Sequence, residues 1–220
     1  MAPGTAQGTG RVKHIALLGD SVFDNAAYVA GGPDVVQQVR AVLPPGWTAT
    51  LHARDGSVIS DMSEQLRLVP ASTSHLVASV GGNDALREAH LLDRKVRSME
   101  EALGLLATVR ERFAASFGAM LEHMLQRRLP AAVCTIYEPR FPEPSRRRVA
   151  ATALATLNDV VTREAFIRKI DCIDLRLICN EDRDFANPIE PSVHGGAKIA
   201  QAIVAFAELG AESRSRIITR

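Results

Sequence analysis

Several short stretches of this 220-residue sequence hold residue types that could together perform acyl transfer. Gly19-Asp20-Ser21 offers a hydroxyl and a backbone N–H directly after a glycine. Arg54-Asp55-Gly56-Ser57 offers another N–H, on a residue whose missing Cβ allows close approach. Gly81-Gly82-Asn83-Asp84 offers a side-chain amide that can donate to a developing oxyanion. The segment from Asn187 to His194 holds a carboxylate, Glu190, and an imidazole, His194, with Asp182 and Asp184 just upstream. Nucleophilic catalysis needs a hydroxyl, a base within hydrogen-bond reach, and donors around the oxyanion. Ser21 supplies the first, and His194 or Glu190 the second. Ser21 N–H, Gly56 N–H and the Asn83 side chain supply the third. Each stretch alone is an ordinary turn or helix cap; one shared site accounts for all of them.

The surrounding pattern says how these stretches meet. Short apolar runs at 14–19, 47–53, 75–80, 131–137 and 169–175 predict strands. Helices are predicted over 34–43, 61–69, 98–128, 145–167 and 192–209, the last with Ser192 as N-cap. In the long central helix Leu103, Leu106, Val109, Phe113, Phe117, Met120, Leu121 and Met124 draw one apolar stripe. Strand and helix alternate, which predicts a five-stranded, mostly parallel sheet with helices on both faces. Ligands of such sheets bind beyond the carboxyl ends of the strands. The candidate stretches fall there. One domain is expected over 11–210, with tails at 1–10 and 211–220.

Composition narrows the function classes. Apolar residues are 46% and charged residues 23%, ordinary for a folded globular chain. Lysine plus arginine is 26 and aspartate plus glutamate 25, a formal charge of +1. That gives no electrostatic footprint for nucleic acid or an anionic membrane. Cys134, Cys172 and Cys179 fit neither a disulfide framework nor a zinc knuckle. The six histidines show no HxH or HExxH spacing, so no metal is expected. No GxGxxG follows the first strand and no GxxxxGK[ST] exists, so a nucleotide or flavin module is not favoured and no cofactor is expected. No apolar run is long enough to span a bilayer and no signal peptide is seen, so a cytoplasmic chain is expected. Oligomeric state is left open.

GDS at Gly19 to Ser21, the lone Gly56, GGND at Gly81 to Asp84 and a late histidine resemble the SGNH (GDSL-type) hydrolases. The likeness covers nearly the whole chain. It implies a flavodoxin-like, three-layer α/β/α sandwich and ester hydrolysis by a serine nucleophile. By motif position Ser21 is the nucleophile, and Ser21, Gly56 and Asn83 form the oxyanion hole. Asp20 and Asp184 are supporting residues.

The last block departs from the family pattern of Asp-x-x-His-Pro. The best register lays Glu190-Pro191 on His-Pro, and Asn187 where the aspartate should be. Three readings follow. His194, oriented by Glu190, Asp184 or Asp182, serves as base. Alternatively Glu190 takes the proton itself; a free carboxylate near pKa ~4.3 is a weak base, so this needs a dry pocket. In the third, the protein is a catalytically weak or silent binding protein. No lid rich in exposed Phe, Leu or Met is evident, so the default substrate is a small or short-chain acyl ester. Arg87, Arg94, Lys95 and Arg97 lie in the segment that could roof the crevice.

Overall fold

The computed structural model describes residues 13–209 and 216–219. The apolar runs pair as strands β1 (Lys13–Gly19), β2 (Trp47–Leu51), β3 (His75–Ser79), β4 (Ala131–Cys134), β5 (Asp171–Ile173) and β6 (Ile217–Ile218). Their order is β2-β1-β3-β4-β5-β6, every neighbouring pair parallel. The sheet therefore has six strands among the described residues, not the five expected. The extra one is two residues long and falls in the segment read as a C-terminal tail. It is too short to show a period, and only pairing with β5 defines it. The expected tail at 1–10 lies outside the described residues.

Seven α-helices complete the described chain: α1 (Val35–Val42), α2 (Met62–Leu68), α3 (Gly82–Arg87), α4 (Met99–Leu125), α5 (Pro144–Ile167), α6 (Leu175–Ile178) and α7 (Val193–Glu208). Their starts follow local chemistry. Asp34 and Gln37 form a reciprocal capping box on α1. Ser98 accepts from Glu101 N at the head of α4, and Glu143 with Pro144 opens α5. Ser192 caps α7 by accepting from His194 N and Gly195 N.

Alternate residues of β1 feed opposite faces of the sheet. Ile15 and Leu17 join the core under α1 and α7, whereas Ala16 and Leu18 join the core under α2, α4 and α5. These are the three layers of an α/β/α sandwich. Cys134, Cys172 and Cys179 are free and buried, with thiols pushed up by loss of solvent, to about 12 for Cys172 and Cys179. No described helix is long and apolar enough to cross a membrane.

The turn after β1 determines where Ser21 stands. Gly19 has φ +124°, and a Cβ there would lie 1.7 Å from the Ser79 carbonyl oxygen of β3. Only glycine allows the two strand ends to approach so closely. Buried Gln65 of α2 braces the same peptide on both sides: its Oε1 accepts from Gly19 N at 2.7 Å and its Nε2 donates to Gly19 O at 2.8 Å. Gly19→Ala should lower unfolding stability by at least ~2 kcal/mol, since overpacking against backbone cannot relax. Gln65→Leu should cost ~1–3 kcal/mol by orphaning the Gly19 N–H. Urea unfolding of both variants checks these values.

Candidate active site

Past Gly19 the chain turns sharply. Asp20 N donates to Ser79 O, and Phe23 N and Asp24 N both donate back to Asp20 O. The turn holds Ser21 at the carboxyl end of β1, buried but lining a cavity. Its Oγ donates to Glu190 Oε1 at 2.9 Å. Its backbone N–H has no hydrogen-bond partner among the described residues.

The loop carrying Glu190 is fastened from several sides. Asn187 Oδ1 accepts from both Ile189 N (2.9 Å) and Glu190 N (3.0 Å), folding the loop onto itself. Ala186 N donates to Glu190 O at 2.9 Å, and Arg140 N donates to Pro188 O at 2.7 Å. Tyr137 Oη donates to Ile189 O at 2.5 Å. Asn25, 0% exposed, donates to Pro191 O and accepts from Val35 N, tying the loop to the start of α1. Asn25, Gln65 and Tyr137 are the positioning residues that sequence reading missed. Polar side chains inside apolar surroundings were the available signal, but their partners are distant in sequence.

The structure brings Glu190, not His194, to Ser21. Residue 194 is already inside the first turn of α7, beyond the Ser192 cap. Its Nε2 lies 3.6 Å from Asp184 Oδ1, and it does not line the cavity. Asp184 is fully buried and engaged elsewhere, accepting from Glu181 N at 2.9 Å and pairing with Lys198 Nζ at 2.8 Å. Asp182 faces Arg140 and Arg147, each at 3.5 Å. Asp184 and Asp182 therefore do not orient a base at Ser21. Glu181, Asp184 and His194 could converge on a cation, but the Lys198 ammonium already meets their charge.

Asn83 lies in the first turn of α3 and lines the cavity. Its Nδ2 donates to Ser57 O at 2.9 Å, which fixes the amide and leaves its second hydrogen for another acceptor. Gly56 sits in a left-handed turn at φ +77°, exposed and outside the cavity lining. Asp84 accepts from Ile59 N at 3.1 Å, linking α3 to the turn before α2.

Burial governs the charges. Glu190 is 5% exposed, and its Oε2 has no hydrogen-bond partner among the described residues. Loss of solvent raises its pKa to about 7; the Ser21 hydrogen bond pulls it down and the Asp55 charge adds to the rise. Asp20, whose Oδ1 accepts from Val22 N, is raised to about 8, again chiefly by burial, with Glu190 and Asp84 contributing.

No family model matches this sequence, and no curated protein matches it. The fold does have solved counterparts. An extracellular lipase from Streptomyces rimosus aligns at 18% identity and TM-score 0.62, covering 91% of this chain and 100% of that one. A G-D-S-L family lipolytic protein from Veillonella parvula aligns at 16% and 0.65, covering 89% and 98%. An acetylxylan esterase from Geobacillus stearothermophilus aligns at 17% and 0.59, covering 93% and 99%. The class defined is thus the SGNH (GDSL-type) hydrolase fold. Against Ser21 this chain carries a glutamate, Glu190.

Both raised carboxyls bear on stability. A folded-state pKa above the unfolded value favours the protonated form, so the contribution is present at acid pH and is lost as pH rises. Wild-type stability should therefore fall between pH 5 and 8, through the values of about 7 and about 8. Glu190→Gln should flatten the first part of that fall and melt higher than wild type at pH 8. Thermal melts across that range test it, and parallel curves for the two proteins would refute it.

Proposed function

We propose that this chain is a serine-nucleophile carboxylic ester hydrolase that uses Glu190 as its base. The observation that carries the reading is the 2.9 Å hydrogen bond from Ser21 Oγ to Glu190 Oε1 at the cavity wall. A carboxylate with an ordinary pKa would be too weakly basic, but one raised to about 7 is matched to neutral operation.

In the acylation step Ser21 Oγ attacks the ester carbonyl carbon and its proton passes to Glu190. The carbonyl π electrons move onto oxygen, where Ser21 N–H and the second Asn83 amide hydrogen receive the negative charge. Gly56, exposed on its turn and outside the cavity lining, supplies no donor in this scheme. Collapse of the tetrahedral species breaks the bond to the alcohol oxygen, which takes the proton from Glu190 and leaves. A water then attacks the acyl-serine by the same route, with Glu190 again accepting and returning the proton. The products are a carboxylic acid and an alcohol. Asp20 and Asn187 act by positioning, the first in the nucleophile turn and the second in the loop that presents Glu190. The lipases and esterases of the same fold support ester chemistry in general.

Nitrophenyl ester turnover is the test. Ser21→Ala should reduce kcat by at least about a thousandfold. Glu190→Gln keeps an acceptor for the Ser21 hydroxyl but not the basicity, and should cost about a hundredfold or more. His194→Ala should stay close to wild type. The rate should rise with pH through a midpoint near 7, because the unprotonated Glu190 is the active form. Wild-type Ser21 that neither turns over esters nor labels with a fluorophosphonate would instead mark a binding protein.

A further inference from the structure

The cavity beside Ser21 does not end at the serine. It has a volume of about 870 Å³ and runs between the segment 85–98, α4 and α5. Its walls from α4 include Met99, Leu103, Leu106 and Val109, all from the first part of that helix. Ten residue steps at 1.5 Å each make this wall ~15 Å long. Val149, Ala153, Leu154 and Leu157 supply a matching stretch of α5. Leu86, Leu91, Leu92 and Val96 close the roof. Charged groups, among them Glu88, Arg94, Arg146 and Arg148, are few against this apolar lining.

Helix periodicity makes this arrangement unusual for a plain core. The deep face of α4 buries Val109, Phe113, Phe117 and Met120, as expected. The first turns instead leave Met99 74% and Leu103 58% exposed, with Val149 of α5 and Leu86 and Val96 of the roof also exposed. Leu105, Leu106 and Leu154 are only partly buried. Apolar surface left to water forgoes ~25 cal/mol per Å². Six of the fourteen exposed large apolar side chains among the described residues, Leu86, Leu92, Val96, Met99, Leu103 and Val149, line the cavity that also reaches the proposed nucleophile.

We infer that the channel holds the acyl chain of the substrate, and that the substrate class is a medium- to long-chain acyl ester, of decanoyl length or more, rather than an acetyl ester. This rests on the ester hydrolase reading above. With the carbonyl carbon at Ser21 Oγ, the acyl chain follows the channel between α4 and α5. The alcohol leaves on the Glu190 side. This inference differs from the expectation of a small or short-chain substrate. That expectation lacked the roof: its leucines are dispersed in sequence among Arg87, Arg94, Lys95 and Arg97, and only the fold gathers them on one wall.

The experiment is a nitrophenyl ester series from acetate to dodecanoate on the full chain, with thermal shift by dodecanoate as an independent binding readout. Each fully buried methylene should raise kcat/KM on the order of fourfold; with roughly half of the extra methylenes of decanoate fully buried, it should exceed acetate on the order of a hundredfold or more. Ala153→Trp and Ala102→Trp, which narrow the channel from opposite helices, should each lower the decanoate-to-acetate ratio at least about tenfold. They should also diminish the dodecanoate shift. Far-ultraviolet circular dichroism identifies a variant that fails to fold, in which case the other variant and the wild-type series decide. Ser21-dependent turnover that is greatest with acetate would overturn the channel while leaving the hydrolase intact. No turnover of any ester would remove the hydrolase reading; the channel then stands if dodecanoate stabilises wild type but not the narrowed variants, and falls if it does not.

Discussion

A carboxylate held out of water against a serine hydroxyl sets the terms for this structure. A buried charge is costly unless it is paired, and Glu190 has one hydroxyl donor and an unpartnered second oxygen among the described residues. The group responds by shifting its ionisation to about 7. The loop that carries it cannot retreat to solvent, because Asn187, Tyr137, Arg140 and Asn25 hold its backbone. Stability given up at this position is what produces a carboxyl that titrates near neutral pH.

The other half of the pair depends on close backbone approach. Gly19 brings the ends of β1 and β3 together, and Gln65 satisfies the peptide that the turn would otherwise orphan. Ser21 and Glu190 are 169 residues apart in sequence. Parallel pairing through β3, β4 and β5 places the turn after β1 and the loop before α7 at the same end of the sheet. The polar brackets on each side are therefore not local decoration. They convert a coarse juxtaposition of strand ends into a hydrogen bond.

The segment between β3 and α4 has a different character. Beyond α3 it is tied to α4 and α5 by exposed ion pairs, Glu88 with Arg112 at 2.9 Å and Asp93 with Arg146 at 2.7 Å. Such pairs are worth ~0–1 kcal/mol each. Ser21 and Glu190 thus sit in densely hydrogen-bonded turns, whereas the roof of the cavity is fastened lightly to α4 and α5.

Local pattern alone determined a good deal. The strand cores at 14–19 and 75–80, the apolar stripe from Val109 to Met124, and the Ser192 cap each follow from neighbours within a few residues, so the sequence carried them. The motifs around Ser21 and Asn83 were legible for the same reason. What tertiary structure decided was long-range. It put Glu190 against Ser21 and His194 against Asp184, because Asn187 folds the loop while the Ser192 cap commits His194 to a helix. It added β6, which pairing alone defines. It also turned scattered leucines of the roof into one wall of a channel. Sequence periodicity shows which side of an element is apolar; whether that side meets another element or a cavity depends on atoms brought from elsewhere in the chain.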